Sequence, residues 1–133
     1  LATLTGACMV ALGSHIAGLM GNDDGWCAQV RDAAERAGER VWPLPLPDDY
    51  RRSLDTPVAD IKNVGPRWGG ALTAGLFLRE FVPDGLPWVH LDIAGPAWAD
   101  DASDLTRKGA TGFGVRTLVA LLEGFTAPDA ADD

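Results

Sequence analysis

Short apolar runs recur along this chain, and clusters of Gly, Pro and Asp separate them and set the element boundaries. Leu1 to Leu4 reads as the end of a strand, closed by Thr5-Gly6. Ala7 to Leu12 is a second apolar run of strand length, and Ile16 to Met20 predicts a third short strand. The turn cluster Gly21 to Gly25 places Asp24 to cap a helix from Trp26 to Ala37, in which Val30, Ala33, Ala34 and Ala37 share one face. Gly38 is its natural stop. Pro43, Pro45 and Pro47 exclude helix and central strand, so Trp42 to Pro47 is an extended connector whose Trp42, Leu44 and Leu46 are expected to pack on the body. Asp48 to Leu54 predicts one or two helical turns, and Val58 to Ile61 a short strand or an irregular segment.

Gly70 to Val82 carries the strongest helical signal, apolar almost all round, so most of its circumference should be buried. Trp88 to Ile93 predicts a buried strand, with Val89, Leu91 and Ile93 on one face and Trp88, His90 and Asp92 on the other. Gly95 and Pro96 stop it. Ligands bind beyond the carboxyl ends of strands in open α/β sheets, so Ala94 to Asp101 is a candidate wall of a crevice. Thr111 is placed to cap a last helix over about Gly112 to Glu123, with Val115, Leu118, Val119 and Leu122 as one apolar stripe. Helices alternating with strands predict one α/β domain over residues 1–126, followed by an acidic tail at 127–133.

Composition narrows the function. A length of 133 residues suffices for one domain with a core, and a net charge of −8 argues against nucleic-acid binding. No apolar run approaches the ~20 residues that span a bilayer, and no signal-peptide pattern is present, which points away from a membrane. Cys8 and Cys27 are expected to be buried free thiols of a reducing cytoplasm. Because Leu1 already lies in a strand, the chain is expected to be a piece of something longer.

Recognisable chemistry is sparse. His15 and His90 lack the spacing of a helical zinc motif, and His90 reads as a hydrogen-bonded core residue. His90 and Asp92 share a strand face, but no Ser or Cys is placed to complete a triad. Gly112-Phe113-Gly114 lacks the third glycine of a dinucleotide loop, with Thr117 in its place. Asp23, Asp24, Asp48, Asp49, Asp100, Asp101 and Asp104 suit solvated or capping roles. Ala2 to Ala7, a strand end followed by Gly, would let a peptide-like ligand approach free backbone groups; an ordinary strand-to-loop turn accounts for the pattern equally well.

Several blocks, in order, resemble the leucyl aminopeptidases (cytosol aminopeptidases). These are Ala2-Thr3-Leu4-Thr5-Gly6-Ala7 with Ala11-Leu12-Gly13, Gly38 to Leu46, and Ala59-Asp60-Ile61-Lys62-Asn63. Gly70-Ala71-Leu72-Thr73-Ala74 with Phe77-Leu78, Trp88 to Gly95, and Lys108 to Gly112 with Val115 to Leu118 complete the set. The resemblance implies a three-layer α/β/α sandwich on a mixed sheet, present here only as its C-terminal portion. It implies a hexameric cytoplasmic exopeptidase in which two divalent metals, manganese, zinc or magnesium, activate a water against peptides with a free amino terminus. The family's metal-ligand run Asn-Thr-Asp-Ala-Glu-Gly-Arg is absent from this sequence. No catalytic or metal-binding residue therefore carries over, and none of the metals is expected to be bound by this segment. The substrate side does carry over: Thr3, Leu4 and Gly6 match the backbone segment that contacts substrate, and Val64, Ala94 and Ala97 match positions lining the apolar pocket for the first side chain. The alternative implied by the missing ligands is a non-catalytic binding or assembly module derived from that family.

Overall fold

Three strands lie side by side in a computed structural model that describes residues 1–128. Strand β1 (Ala17–Gly21) is central, with β2 (Val41–Pro43) parallel on one side and β3 (Val89–Asp92) antiparallel on the other. The sheet is mixed, and β2 lies at its edge, where its Pro43 costs no ladder bond on the open side. Residues Leu1 to Leu4, expected as a strand end, extend the sheet beyond β3 by a single parallel bridge, Ala2 to Asp92.

Alternation along β1 sorts the helices onto two faces. Leu19 points with Leu91 into a core shared with Val30 and Ala33 of helix α2 (Asp24–Arg36) and Leu121 of the last helix, α4 (Val115–Glu123). Gly18 and Met20 point the other way. Cys8 of helix α1 (Gly6–Leu12) packs on Gly18, and Gly75 of helix α3 (Gly70–Arg79) packs on Met20. The result is a three-layer arrangement: α2 and α4, the sheet, then α1 and α3. Asp48–Leu54 forms a 3-10 helix fastened to α3 by the ion pairs Arg51–Glu80 and Arg79–Asp48, both 2.7 Å. A two-stranded ribbon pairs β4 (Trp98–Ala99) with β5 (Gly109–Ala110).

Several expectations change. Ala7 to Leu12 is helix, because Thr5 caps it: Thr5 is extended (φ −137°, ψ 139°), and its Oγ1 accepts the Cys8 N–H at 2.9 Å. A short apolar run carries no period that separates strand from buried helix, so the cap decides. The helix after the Gly21 turn is capped by Asp23, one residue earlier than expected, and Gly38 (φ +69°) stops it. Val58 to Ile61 takes the irregular form of the two expected for it, whereas Trp42 is exposed rather than packed on the body. Within α4 the expected core stripe faces outward: Val115, Leu118, Val119 and Leu122 are exposed, while Thr117 and Leu121 are buried. The helix is rolled because its first turn is tied down at Thr117, and no described residue covers the stripe. Cys8 is buried and Cys27 half-buried, both free. Burial raises both thiols, with Asp92 adding to it at Cys8 and Asp24 at Cys27. Of the acidic tail, residues 129–133 lie outside the described part of the chain.

Candidate functional site

Asp92, the last residue of β3, is completely buried, and a buried carboxylate requires donors. It has four. Oδ1 accepts the backbone N–H of Leu4 at 3.0 Å and of Ala94 at 3.2 Å. Oδ2 accepts the Thr5 N–H at 3.1 Å and the Thr5 hydroxyl at 2.7 Å. Ladder bonds flank this knot: the Ala2 N–H donates to Leu91 O at 3.1 Å, and the Ile93 N–H donates to Ala2 O at 2.9 Å. One side chain thus joins the Thr3-Leu4-Thr5-Gly6 segment to the loop that carries Ala94.

Leu4 and Thr5 open onto a cavity of about 380 Å³ whose far walls are Val64, Pro66 and, from α3, Thr73 and Phe77. Gly65 seats the Val64 loop there, since a Cβ on Gly65 would fall 2.7 Å from the Thr73 hydroxyl. The cavity is lined by apolar side chains, the Thr5 and Thr73 hydroxyls and the Asn63 carboxamide, with no nucleophile activated by a base. Two larger cavities lie elsewhere. One of about 720 Å³ runs along the β2 edge beside Arg31, Glu35 and Trp42. One of about 480 Å³ is walled by His15, Trp98, Asp100 and Arg116. Neither is lined by any of the six residues carried over from the sequence.

Those six separate into groups. Leu4 and Val64 share the small cavity. Ala94 shares the Asp92 carboxylate with Leu4 but does not line that cavity. Ala97 does not line it either; its N–H donates to Ile93 O at 3.0 Å, and its carbonyl accepts the Thr111 N–H at 3.0 Å, so it is held by the loop and by the residue after β5. Thr3 and Gly6 are exposed, and a Cβ on Gly6 would meet nothing within 4 Å, so its Cα faces open space. Sequence reasoning passed over Asp92 and Thr5 as anchors. Their signal was present: a carboxylate ending an apolar strand needs donors, and a Thr three residues before Cys8 offers a cap.

His90 lies on the same strand but is not joined to Asp92. It is buried, stacked on Trp88 with ring centroids 6.3 Å apart, and its Nε2 has no partner among the described residues. The hydrogen bond expected of it is therefore missing at that nitrogen. Burial pushes the imidazole below its usual range, and the Asp92 carboxylate opposes this. The folded chain thus binds this proton less readily than the unfolded one, whose imidazole titrates near ~6.5. Stability is full above that pH and declines below it. His90→Gln is expected to flatten the fall in urea midpoint between about pH 7 and pH 5; an unchanged slope would refute this account.

Metal ligation needs clustered donors with free lone pairs. No group of three or more His, Cys, Asp or Glu side chains is gathered among the described residues. The two buried carboxylates, Asp92 and Glu39, spend their oxygens on N–H and O–H donors. This donor set does not fit a two-metal centre. No described helix is long and apolar enough to cross a membrane.

The sequence model described as "Cytosol aminopeptidase family, catalytic domain" matches residues 1–119. A protein described as "Probable cytosol aminopeptidase" from Synechococcus sp. (strain RCC307) is 54% identical over 127 residues, covering 96% of this chain and 25% of its own length. One of the same description from Streptomyces avermitilis is 56% identical over 129 residues, with 96% and 25% covered. Among solved structures, a tomato leucine aminopeptidase mutant superposes with a TM-score of 0.84 at 47% identity, covering 90% of this chain and 23% of its own. The bottromycin maturation enzyme BotP in complex with Mn gives 0.87 at 45% identity, covering 92% and 27%. The chain spans about a quarter of the length of the relatives it matches.

Proposed function

The chain belongs to the cytosol aminopeptidase family, and from that premise we propose that it is the C-terminal part of the catalytic domain of a leucyl-aminopeptidase-type exopeptidase. The match over residues 1–119 carries this reading. In the whole protein, two divalent metals, manganese or zinc, would be held by residues outside these 133, and the water they activate would release the first residue of a peptide with a free amino terminus. A cytoplasmic homohexamer is the assembly and location we propose for it.

The part of the work assigned to this segment is to present the substrate. Thr3, Leu4 and Gly6 offer backbone groups to the peptide; Val64, Ala94 and Ala97 offer small or apolar side chains to its first residues. The shared cavity of Leu4 and Val64 and the open Cα of Gly6 support this division. The contribution is positioning, which alone is worth several orders of magnitude in rate when the attacking water is delivered by another part of the molecule.

The test compares two proteins. The full-length protein carrying this segment is expected to release leucine from leucine amide with manganese or zinc added. The 133-residue chain alone is expected to release none above a protein-free blank. Turnover by the isolated chain, or none by the full-length protein with either metal, would sink the proposal.

A further inference from the structure

We infer that Asp92, acting through Thr5, is a positioning residue for substrate: its buried carboxylate fixes the two substrate-facing segments relative to one another. This rests on the aminopeptidase reading and adds to it two residues that touch no substrate in that reading. Leu4 and Ala94 both donate to the same oxygen, Oδ1, at 3.0 and 3.2 Å. The distance between those two backbone positions is therefore set by a single atom. Thr5 adds its N–H and its hydroxyl to Oδ2, and its Oγ1 also accepts the Cys8 N–H. The hydroxyl thus transmits the position of Asp92 to the first turn of α1, where Gly6 lies. Three proposed substrate residues, Leu4, Gly6 and Ala94, take their places from one carboxylate.

The chemistry favours a charged acceptor here. An ionised carboxylate accepts at both oxygens and donates at neither, which suits four convergent donors. Asn in its place would turn an NH₂ group toward N–H and O–H donors, forcing at least one segment away. A misplacement of about 1 Å can cost on the order of 100-fold in rate without any change in the reacting groups.

The experiment uses the full-length protein with Asp92→Asn, Thr5→Val and Thr5→Ser, assayed on leucine amide with manganese. Asp92→Asn is expected to lower kcat/KM about 100-fold and Thr5→Val about tenfold, each with a raised KM; Thr5→Ser is expected to stay near wild type. A purely structural role would instead lower kcat by the inactive fraction and leave KM unchanged. That pattern in Thr5→Val, or a Thr5→Ser no better than Thr5→Val, overturns the inference. If Asp92→Asn does not fold, the Thr5 pair decides. If the wild-type protein itself releases nothing, the aminopeptidase reading fails. Amide exchange then decides the anchoring alone. Exchange faster in Thr5→Val than in Thr5→Ser at the Leu4 and Thr5 amides, with the β1 amides unchanged, upholds it; equal exchange in the two variants refutes it.

Discussion

Glu39→Ala is expected to lower the unfolding free energy of the chain by about 3 kcal/mol, because it strands three donors at once. Glu39 follows the stop of α2 and is buried, yet it acts on a helix far along the chain. Its Oε1 accepts the Gly114 N–H at 3.0 Å; its Oε2 accepts the Thr117 N–H at 2.9 Å and the Thr117 hydroxyl at 2.6 Å. Helix α4 has no cap of its own, since Gly114 (φ +95°) occupies the cap position and has no side chain. The borrowed carboxylate satisfies the free amides of the first turn and meets the positive end of the helix dipole. Truncation removes the acceptor from a hydroxyl that is completely buried, and a buried polar group left without a partner is costly. Glu39→Gln keeps the shape and one acceptor and should recover about half of the loss. In a double-mutant cycle, Thr117→Val should cost less in the Glu39→Ala background than in the wild type. Urea unfolding followed by tryptophan fluorescence measures the four proteins of the cycle and Glu39→Gln. A Glu39→Ala midpoint indistinguishable from wild type would show that the latch contributes nothing.

That latch explains why the chain was only partly legible. Where the cause is local, the sequence and the structure agree. The 3.6-residue pattern of Val30, Ala33 and Ala34, the Gly38 stop, and the strand from Val89 to Asp92 all depend on residues within a turn of one another. The sequence places Thr111 to cap α4. Its Oγ1 instead accepts the Phe113 N–H at 3.1 Å and donates to Pro96 O at 2.6 Å, and the helix begins later, under Glu39. A cap supplied from residue 39 leaves no trace in the sequence around residue 114. The same latch fixes the roll of α4 and so turns Val115, Leu118, Val119 and Leu122 outward. Periodicity identifies an apolar stripe; it does not say what the stripe faces.

The candidate site divides along the same line. Leu4 and Val64 were carried over from family resemblance, and they share a cavity although they lie far apart in sequence. The group that ties Leu4 to Ala94 is Asp92, whose partners come from residues 4 and 5 and from residue 94. A strand-face argument groups Asp92 with His90, because both side chains leave β3 on one face. Their partners differ: Asp92 takes four donors, and His90 stacks on Trp88. Alternation fixes direction, and only tertiary contacts fix partners.

Gly95→Ala is expected to destabilise the chain by about 3 kcal/mol, the upper part of the usual overpacking range. Gly95 follows Ala94 and is buried against the turn that ends α1. An added Cβ would overlap the Gly13 carbonyl oxygen and lie 3.2 Å from the Gly13 carbonyl carbon and 3.3 Å from the Ser14 Cα. All three obstacles are backbone, so no side chain can swing aside. Gly13 also cannot yield freely: at φ +77° it is held left-handed by its own N–H bond to Met9 O at 2.8 Å. The clash therefore pushes the end of α1 and the Ala94 loop apart. Asp92 resists from within, because it holds Thr5, which caps the start of α1, and Ala94 itself. Strain relieved at one contact is thus imposed on the other. Gly6→Ala is the matched control: the same added methyl meets nothing within 4 Å, and stability should change by less than about 0.5 kcal/mol. Paired urea midpoints separate the two cases. Equal midpoints for Gly95→Ala and Gly6→Ala would mean that the close approach of these two turns does not hold the segments that carry Leu4 and Ala94.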